Sequence, residues 1–536
     1  MSPHQRSSGR PDPLSRSAAG DRNPWLVAVV ISIATFMQVL DTSIANVALQ
    51  YIAGSMAASV DESTWVLTSY LVASAVILPI SGWLSGVVGR KRFYMGCVAV
   101  FTVSSVLCAL APNLQMLIFF RVLQGVGGGG MAPSEQAMLA DTFPEDKRPL
   151  AFALYGVAVL VAPTIGPTLG GWLTDNLSWH WIFFINGPIG VVSLVLVSWL
   201  VTEPEVLEQE RKQRIARGLH VDWIGFVLVA LFLGCLEIVL DKGQEEDWFS
   251  SEFIRFFATV SFVSLLLFVP WELTRKEPIV DLKLYGYRAF ATASVMMLTI
   301  GAILFGTTQL VPQLLQGVYQ YSATLSGLAL MPGGFAMLMV MPVAGMLGAR
   351  VPLKYLIAFG MITVGVAMLY MTSLSGAADF SFYAWARVFQ TVALPFVFVP
   401  ITSASYSGLP PEKTGEASSL INVARNLGGS IGISMSTTIV ARSMQAHQNY
   451  LVDHLVPSSL GYQSEIAHAA NSLTALGVPA AQAAMAAYAY INQVVQQQAM
   501  LLAYIDVFRY VAVLALVMAP VALLLLPSRS PRAIGH

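Results

Sequence analysis

Asp41 and Arg121 are opposite charges set inside long apolar stretches of a 536-residue chain. An ionisable side chain in hydrocarbon costs on the order of a few kcal/mol unless it meets a partner or water, so each is a functional candidate. Asp41 stands fifteen residues past Leu26, and Arg121 stands fifteen residues before Gln136 on an oppositely directed stretch. At a helical rise of ~1.5 Å per residue, both lie roughly 22 Å from one edge of a ~30 Å hydrocarbon core. On neighbouring helices Arg121 would hold Asp41 ionised, and moving the guanidinium away, or binding a proton, would release it. The chemistry is that of a proton switch; the alternative is a static ion pair that fixes helix packing.

Further polar groups share these surroundings. Arg425 with Asn422 and Asn426 gives a late stretch a polar stripe at helical spacing, suited to lining a cavity or to structural hydrogen bonding. Asn46, Gln124 and Glu135 join them as substrate-cavity candidates. Glu135 and Glu237 stand near stretch ends, where a solvated helix end is the simpler reading, and Arg387 and Arg509 near outer ends read as snorkelling side chains. Gly125-Val-Gly127-Gly-Gly-Gly130 fits the dinucleotide pattern, but it lies inside an apolar helix with no preceding strand. Its glycines, like the pairs Gly82 and Gly86, Gly166 and Gly170, and Gly428 and Gly432, read instead as places of close helix approach. Pro163 and Pro167 would kink the stretch around Gly166. The chain has no phosphate loop, nucleophile motif or metal-ligand spacing, so no cofactor is expected and a gradient or a partner must supply energy. Cys97, Cys108 and Cys235 all lie in apolar stretches and read as small core hydrophobes.

The elements that must position these residues are membrane spans. Apolar residues make up 56% of the chain and charged ones only 11%, against about 25% in soluble domains. Mean hydropathy is +0.66, and a net charge of -1 offers nothing to nucleic acid. Stretches near the ~20 residues that cross a bilayer begin around Trp25, Trp65, Phe93, Met116, Leu150 and Trp181. Two more cover roughly 223–240 and 256–271, and six follow from near Phe290, Leu325, Leu353, Phe382, Glu416 and Asp506. That makes fourteen. Residues 1–24 hold four arginines and no apolar core, so the first span itself is expected to direct insertion.

Of 29 Lys and Arg residues, 22 fall in the tails and alternate loops on one side, and only Lys242 and Arg442 fall in loops on the other. Positively charged loops resist translocation, which places both termini in the cytoplasm. An internal repeat divides the spans. Arg121-Val-Leu-Gln124 recurs as Arg387-Val-Phe-Gln390, and the loop from Phe143 to Lys147 as Leu409 to Lys413, at an offset of 266; Pro79-Ile-Ser-Gly82 recurs as Pro342-Val-Ala-Gly345. The fold expected is therefore all-α, with two six-helix bundles (25–201 and 290–526) and two helices inserted between them (223–272). Linkers at 202–222 and 273–289, a long outer loop at 443–504 and a short tail at 527–536 complete it.

On these residues the chain resembles the fourteen-span drug:proton antiporters of the major facilitator superfamily, and within them the EmrB-like branch. The motifs are Leu40-Asp41-Thr42 through Asn46, Gly82 through Gly89-Arg90-Lys91-Arg92, and Arg121 through Gly125. The antiporter motif runs from Gly156 through Gly166-Pro167 to Gly170-Gly171, and Trp181 through Asn186 opens the sixth span. Leu240-Asp241-Lys242-Gly243, and Ser407 through Glu412, are similar to the EmrB-like branch in particular. The resemblance implies a bacterial inner-membrane pump that exports hydrophobic or amphiphilic toxic compounds in exchange for protons, with Asp41 and Arg121 carrying the coupling. It also implies a periplasmic adaptor of EmrA type and an outer-membrane channel of TolC type. The residues themselves add one candidate docking surface, the outer loop from about Met444 to Tyr504, which has no lysine or arginine and holds a helix-prone Ala/Gln stretch from Pro479 to Ala503; the alternative is an ordinary flexible loop. Two positions depart from the pattern. Gly86 stands where an acid is usual in the gating loop, which leaves that charge network open, and Gln50 stands where proline is usual. The competing readings are a proton-coupled transporter of one metabolite, in either direction, and a receptor or membrane enzyme built on the same fold.

Overall fold

A computed structural model describes residues 23–525 apart from 204, 217–220, 276 and 376–378, and among them there is no strand. The expected tails, up to residue 22 and from 527, lie outside the described residues. In hydrocarbon a backbone must satisfy its own hydrogen bonds, and helices do so within each segment. The first half holds α1 (Pro24–Ser55), α2 (Val60–Ile77), α3 (Ser81–Val88), α4 (Arg90–Ala109), α5 (Leu114–Thr142), α6 (Arg148–Asn176), α7 (Trp181–Phe184) and α8 (Asn186–Leu200). A short α9 (Glu205–Ala216) leads to the inserted pair α10 (Trp223–Lys242) and α11 (Glu252–Thr274). The second half holds α12 (Arg288–Gly317), α13 (Ala323–Arg350), α14 (Leu353–Met371), α15 (Phe380–Ala393), α16 (Pro395–Ser405), α17 (Thr414–Asp453), α18 (Leu460–Ala475) and α19 (Ala480–Leu525). Side-chain caps fix several starts: Asn23, Asn113, Ser322 and Asp379 each accept a first-turn N–H, and Ser59 forms a capping box with Glu62.

Eleven helices among the described residues are long and apolar enough to cross a bilayer, or twelve when α2 and α3, bent by 60° across a break that contains Pro79, make one span. Helices α5 and α17 have ample length, 29 and 40 residues, but fail on apolarity. They are the helices that carry Arg121, Gln124 and Glu135, and Asn422, Arg425 and Asn426. Two expected connections hold more helix than the sequence pointed to. The outer loop expected at 443–504 is mostly helix: α17 runs on to Asp453, α18 follows, and α19 begins at Ala480. The linker expected at 202–222 contains α9. At ~1.5 Å per residue, the 40 residues of α17 and the 46 of α19 reach well beyond a ~30 Å core.

Within the first half α1 packs on α6, and α5 packs on α2 and α4; within the second, α12 packs on α17, α13 on α15, and α19 on α14 and α17. The halves meet through α6 against α13 and through α17 against α3 and α5, while α10 bridges α2 and α17. Small residues permit these approaches. A Cβ on Gly82 would come within 2.7 Å of the Gly415 carbonyl and 2.9 Å of the Glu416 Cα, both on α17. A Cβ on Gly156 would meet Met341 on α13 at 2.8 Å. Gly127 of the rejected nucleotide motif lies against α4, where a Cβ would stand 2.6 Å from the Phe101 nitrogen. The Pro167 ring removes the N–H that would bond the Pro163 carbonyl, and Ser43 on α1 donates to that carbonyl at 3.2 Å.

Gly82→Val should therefore force the halves apart at α3 and α17, lowering stability by about 1–3 kcal/mol as overpacking does. Thermal unfolding in detergent checks this against Gly54→Ala, where no atom lies within 4 Å of the new methyl; equal midpoints for the two variants would refute the close approach.

Candidate functional site

Asp41 and Arg121 meet. Helix α5 presents Arg121 to α1, and its Nη1 donates to Asp41 Oδ2 at 2.7 Å, with both residues buried. Two more donors reach Asp41 Oδ1: Gln124 Nε2 at 3.0 Å and Asn186 Nδ2 at 2.6 Å. The guanidinium is held in turn, with Nε donating to the Val66 carbonyl at 2.9 Å and Nη1 to Gln124 Oε1 at 2.8 Å. It lies 4.4 Å from the Tyr70 ring centroid, a desolvated cation–π geometry. Ser105 on α4 accepts from Asn186 at 2.9 Å and donates to the Phe183 carbonyl at 2.9 Å. The result is a carboxylate with three donors, one of them charged, enclosed by α1, α2, α4, α5 and α8. The donors sit on α5 and α8 and the acid on α1, so the cluster depends on how these three helices are placed against one another.

Sequence reasoning missed Asn186, Ser105, Tyr70 and the Val66 carbonyl as members of this site. Asn186 stood in a quoted motif with no role attached. It had a signal, an amide in an apolar span entry.

A second polar layer joins the halves. Asn422 Nδ2 donates to Gln136 Oε1 at 2.8 Å, Ser418 Oγ to the Pro133 carbonyl at 2.5 Å, and Tyr406 to Gln136 at 3.3 Å. Arg425 Nη1 donates to the Tyr155 hydroxyl at 2.7 Å, and its Nε to Asn426 at 3.3 Å. The stripe on α17 thus lies between the halves and is engaged in hydrogen bonds across them. Asn46 is exposed on α1, away from the Asp41 bonds.

Three readings of charged residues are overturned by burial. Glu135 is not a solvated helix end: it is fully buried, takes a 2.5 Å bond from Ser32 Oγ, and leaves Oε2 without a partner. Glu237 is buried as well, and accepts from Ser430 on α17 at 2.6 Å. Arg387 does not snorkel, for it is buried and donates to Gln390 at 2.9 Å and Thr308 at 3.0 Å. Depth along a helix says nothing about which neighbours cover it. Arg509 is exposed beside Asp506.

The gating-loop residues converge on the same end of the bundle. Gly89 has a φ of +99°, a left-handed turn that ends α3 and starts α4. Arg90 is buried, pairs with Asp141 on α5, and donates from Nη2 to Thr414 on α17 at 2.8 Å. Asp141 also accepts from Thr414 at 3.1 Å, so this network forms across the halves without an acid at Gly86. Lys91 donates to the Ser198 carbonyl at 2.8 Å, and Arg92 is exposed. In the antiporter motif, a Cβ on Gly170 would lie 3.2 Å from the Ile44 Cα. Gly166 likewise faces Ser43, and Gly171 is buried beside Gly170.

Residues 31–433 match the model of the Major Facilitator Superfamily. The chain is 39% identical over 436 residues to a protein of Haemophilus influenzae named multidrug export protein EmrB, covering 81% of this chain and 83% of that one. It is 36% identical over 484 residues to the Escherichia coli K12 protein of the same name, covering 90% and 91%. A solved structure of the proton:xylose symporter XylE superposes with a TM-score of 0.55 at 15% identity, over 80% of this chain and 90% of that one.

Removing one member of a buried ion pair strands the other charge, so Arg121→Gln should destabilise the fold by about 3–5 kcal/mol. Adding Asp41→Asn should restore much of that loss, measured by thermal unfolding in detergent; additive losses would show that the two residues are not coupled.

Proposed function

The chain belongs to the major facilitator superfamily, and from that premise we propose that it is a proton-coupled antiporter exporting hydrophobic or amphiphilic toxic compounds from the bacterial cytoplasm. The observation that carries this reading is the buried Asp41–Arg121 pair with its further donors from Gln124 and Asn186. While Arg121 is in place, Asp41 is satisfied as an anion. A rearrangement that withdraws the guanidinium leaves a carboxylate in hydrocarbon, which takes up a proton. Restoring the pair releases it, and the proton gradient thereby drives the cycle without a cofactor.

In this reading α5 and α17 join the twelve apolar spans to make fourteen, an even number that keeps both termini on one side, and the bias of Lys and Arg toward the loops of that side, Arg90 among them, supports its being the cytoplasmic side of an inner membrane. The Arg90, Gln136 and Tyr155 networks then close the cytoplasmic side between the halves. Opening toward the cytoplasm must break them together, a rocking of one bundle against the other. Asn422, Arg425, Asn426, Gln124, Glu135 and Asn46 are the polar groups that such an opening offers to substrate. The relatives' shared name, multidrug export protein, supports efflux over uptake of one metabolite. A transport role supported by family membership also leaves no need for enzyme chemistry.

In this orientation the end of α17, all of α18 and the start of α19 form a helical projection on the outer side. Leu460, Leu476 and Met485 on it are more than three-quarters exposed, and Tyr488 and Tyr490 more than half. An apolar surface on an otherwise extramembrane element supports a protein partner, here a periplasmic adaptor of EmrA type leading to a TolC-type channel.

Asp41→Asn should abolish substrate-induced proton movement in proteoliposomes while substrate binding survives; undiminished gradient-driven transport would remove Asp41 from the mechanism, and proton flow in the same direction as substrate would make the protein a symporter. Replacing Leu460, Leu476 and Met485 together by Ser should leave membrane insertion intact and weaken co-purification with the adaptor. Unchanged co-purification would move the docking surface elsewhere.

A further inference from the structure

The internal repeat carries Arg121 and Gln124 onto Arg387 and Gln390, and the same offset of 266 carries Asp41 onto Thr307. The bonds repeat with the residues. In the first half, Arg121 Nη1 donates to Gln124 Oε1 at 2.8 Å and Gln124 Nε2 donates to Asp41 at 3.0 Å. In the second, Arg387 Nη1 donates to Gln390 Oε1 at 2.9 Å and Gln390 Nε2 donates to Thr307 Oγ1 at 2.5 Å. The scaffold is duplicated, but its acid is not.

Arg387 is consequently a buried cation without an anion. It is 2% exposed. Its hydrogen-bond partners, Gln390 and Thr308, are neutral, and its Nε has none. No carboxylate stands within ion-pair distance of it among the described residues. Arginine does not escape this situation by losing its proton, as a buried lysine can. A guanidinium is also the side chain best shaped to take a carboxylate through two parallel N–H bonds. Thr308, which receives the Nη2 bond, is only half-buried, as is Gln309 beside it, so the cluster borders accessible space on α12.

We propose that Arg387, with Thr308 and Gln390 beside it, binds the carboxylate of an amphiphilic substrate, in the role that Asp41 fills toward Arg121 in the first half. The proposal rests on the efflux reading and narrows it: among compounds of similar apolar bulk, those bearing a carboxylate are held by the second half. A small inorganic anion could offer the same charge, and the test separates the two.

Purified full-length protein in neutral detergent is titrated with a fluorescent long-chain carboxylate and with its methyl ester. The acid should bind about tenfold to a hundredfold more tightly than the ester, the range expected of a charge-assisted hydrogen bond. Arg387→Gln should erase that preference and leave ester affinity unchanged. Thr307→Asp, which supplies an internal anion and keeps the arginine, should erase it too, so that a folding defect in one variant does not decide the matter. Equal affinities for acid and ester in the unaltered protein, or an acid preference that survives in folded protein of either variant, would overturn the site. Added chloride should leave acid binding unchanged; displacement of the acid by chloride would assign Arg387 to inorganic anions and overturn the substrate assignment. Proton movement driven by the ester and dependent on Asp41 keeps the efflux reading intact even if the carboxylate site fails. Absence of proton movement with every compound would strike the efflux reading itself.

Discussion

A carboxylate in hydrocarbon has to be surrounded by donors, and the arrangement of the first half follows from meeting that demand at Asp41. Its donors come from α5 and α8, and the groups that hold those donors come from α2 and α4. Helices separated by ordinary side chains stand 8–10 Å apart, too far for so many short polar side chains to converge. The glycines of α5 remove that separation. A Cβ on Gly125 would stand 2.8 Å from the Ala73 Cβ, and one on Gly129 2.7 Å from the Ser74 carbonyl. What resembles a phosphate-binding sequence is thus the means by which α2 and α4 are brought against the helix of Arg121.

The pair itself was legible in the sequence because it needs only two quantities, the depth of each residue and opposite charge. The rest of the site depends on how helices are rotated and which are neighbours. Asn186 and Ser105 carry no charge, and the Val66 carbonyl has no side-chain signature at all. The same lack misled the reading of Glu135, Glu237 and Arg387, where nearness to a helix end suggested water and the neighbouring helices in fact cover them. An averaged hydropathy falls short for α5 and α17, since polar residues and glycines dilute both, yet their apolar stretches from Met116 and Glu416 were still legible, and the repeat, which compares side chains rather than averaging them, agrees with them. The length of α17 and α19 was obscured for the opposite reason. The Ala- and Gln-rich stretch from Pro479 to Ala503 reads as helix-prone, but nothing in it shows that it is continuous with the last span, and the polar outer turns of the helix that ends at Asp453 read as loop.

The contact between the halves combines two kinds of surface. Along α6 and α13, small and apolar residues meet: a Cβ on Gly334 would lie 2.9 Å from Thr164 Cγ2, and one on Gly345 3.0 Å from Leu150. Such surfaces are weakly directional and tolerate rotation. Near Arg90 the contact is instead built from directional bonds, from Arg90 to Thr414, Asn422 to Gln136 and Arg425 to Tyr155. Bonds of this kind are either made or broken, so this end has discrete states while the α6–α13 seam can serve as a pivot.

Two buried ionisable side chains lie at that contact. Glu135 on α5 and Arg425 on α17 face it from opposite halves, and neither has an ion-pair partner among the described residues. Glu135 is bonded by the Ser32 hydroxyl on its own half, whereas Arg425 reaches the Tyr155 hydroxyl on the other half and the Asn426 amide beside it. Separating the halves at this end would have to break the bonds that Arg90, Gln136 and Tyr155 make across it, whereas Asp41 and Arg121, both on the first half, would keep theirs.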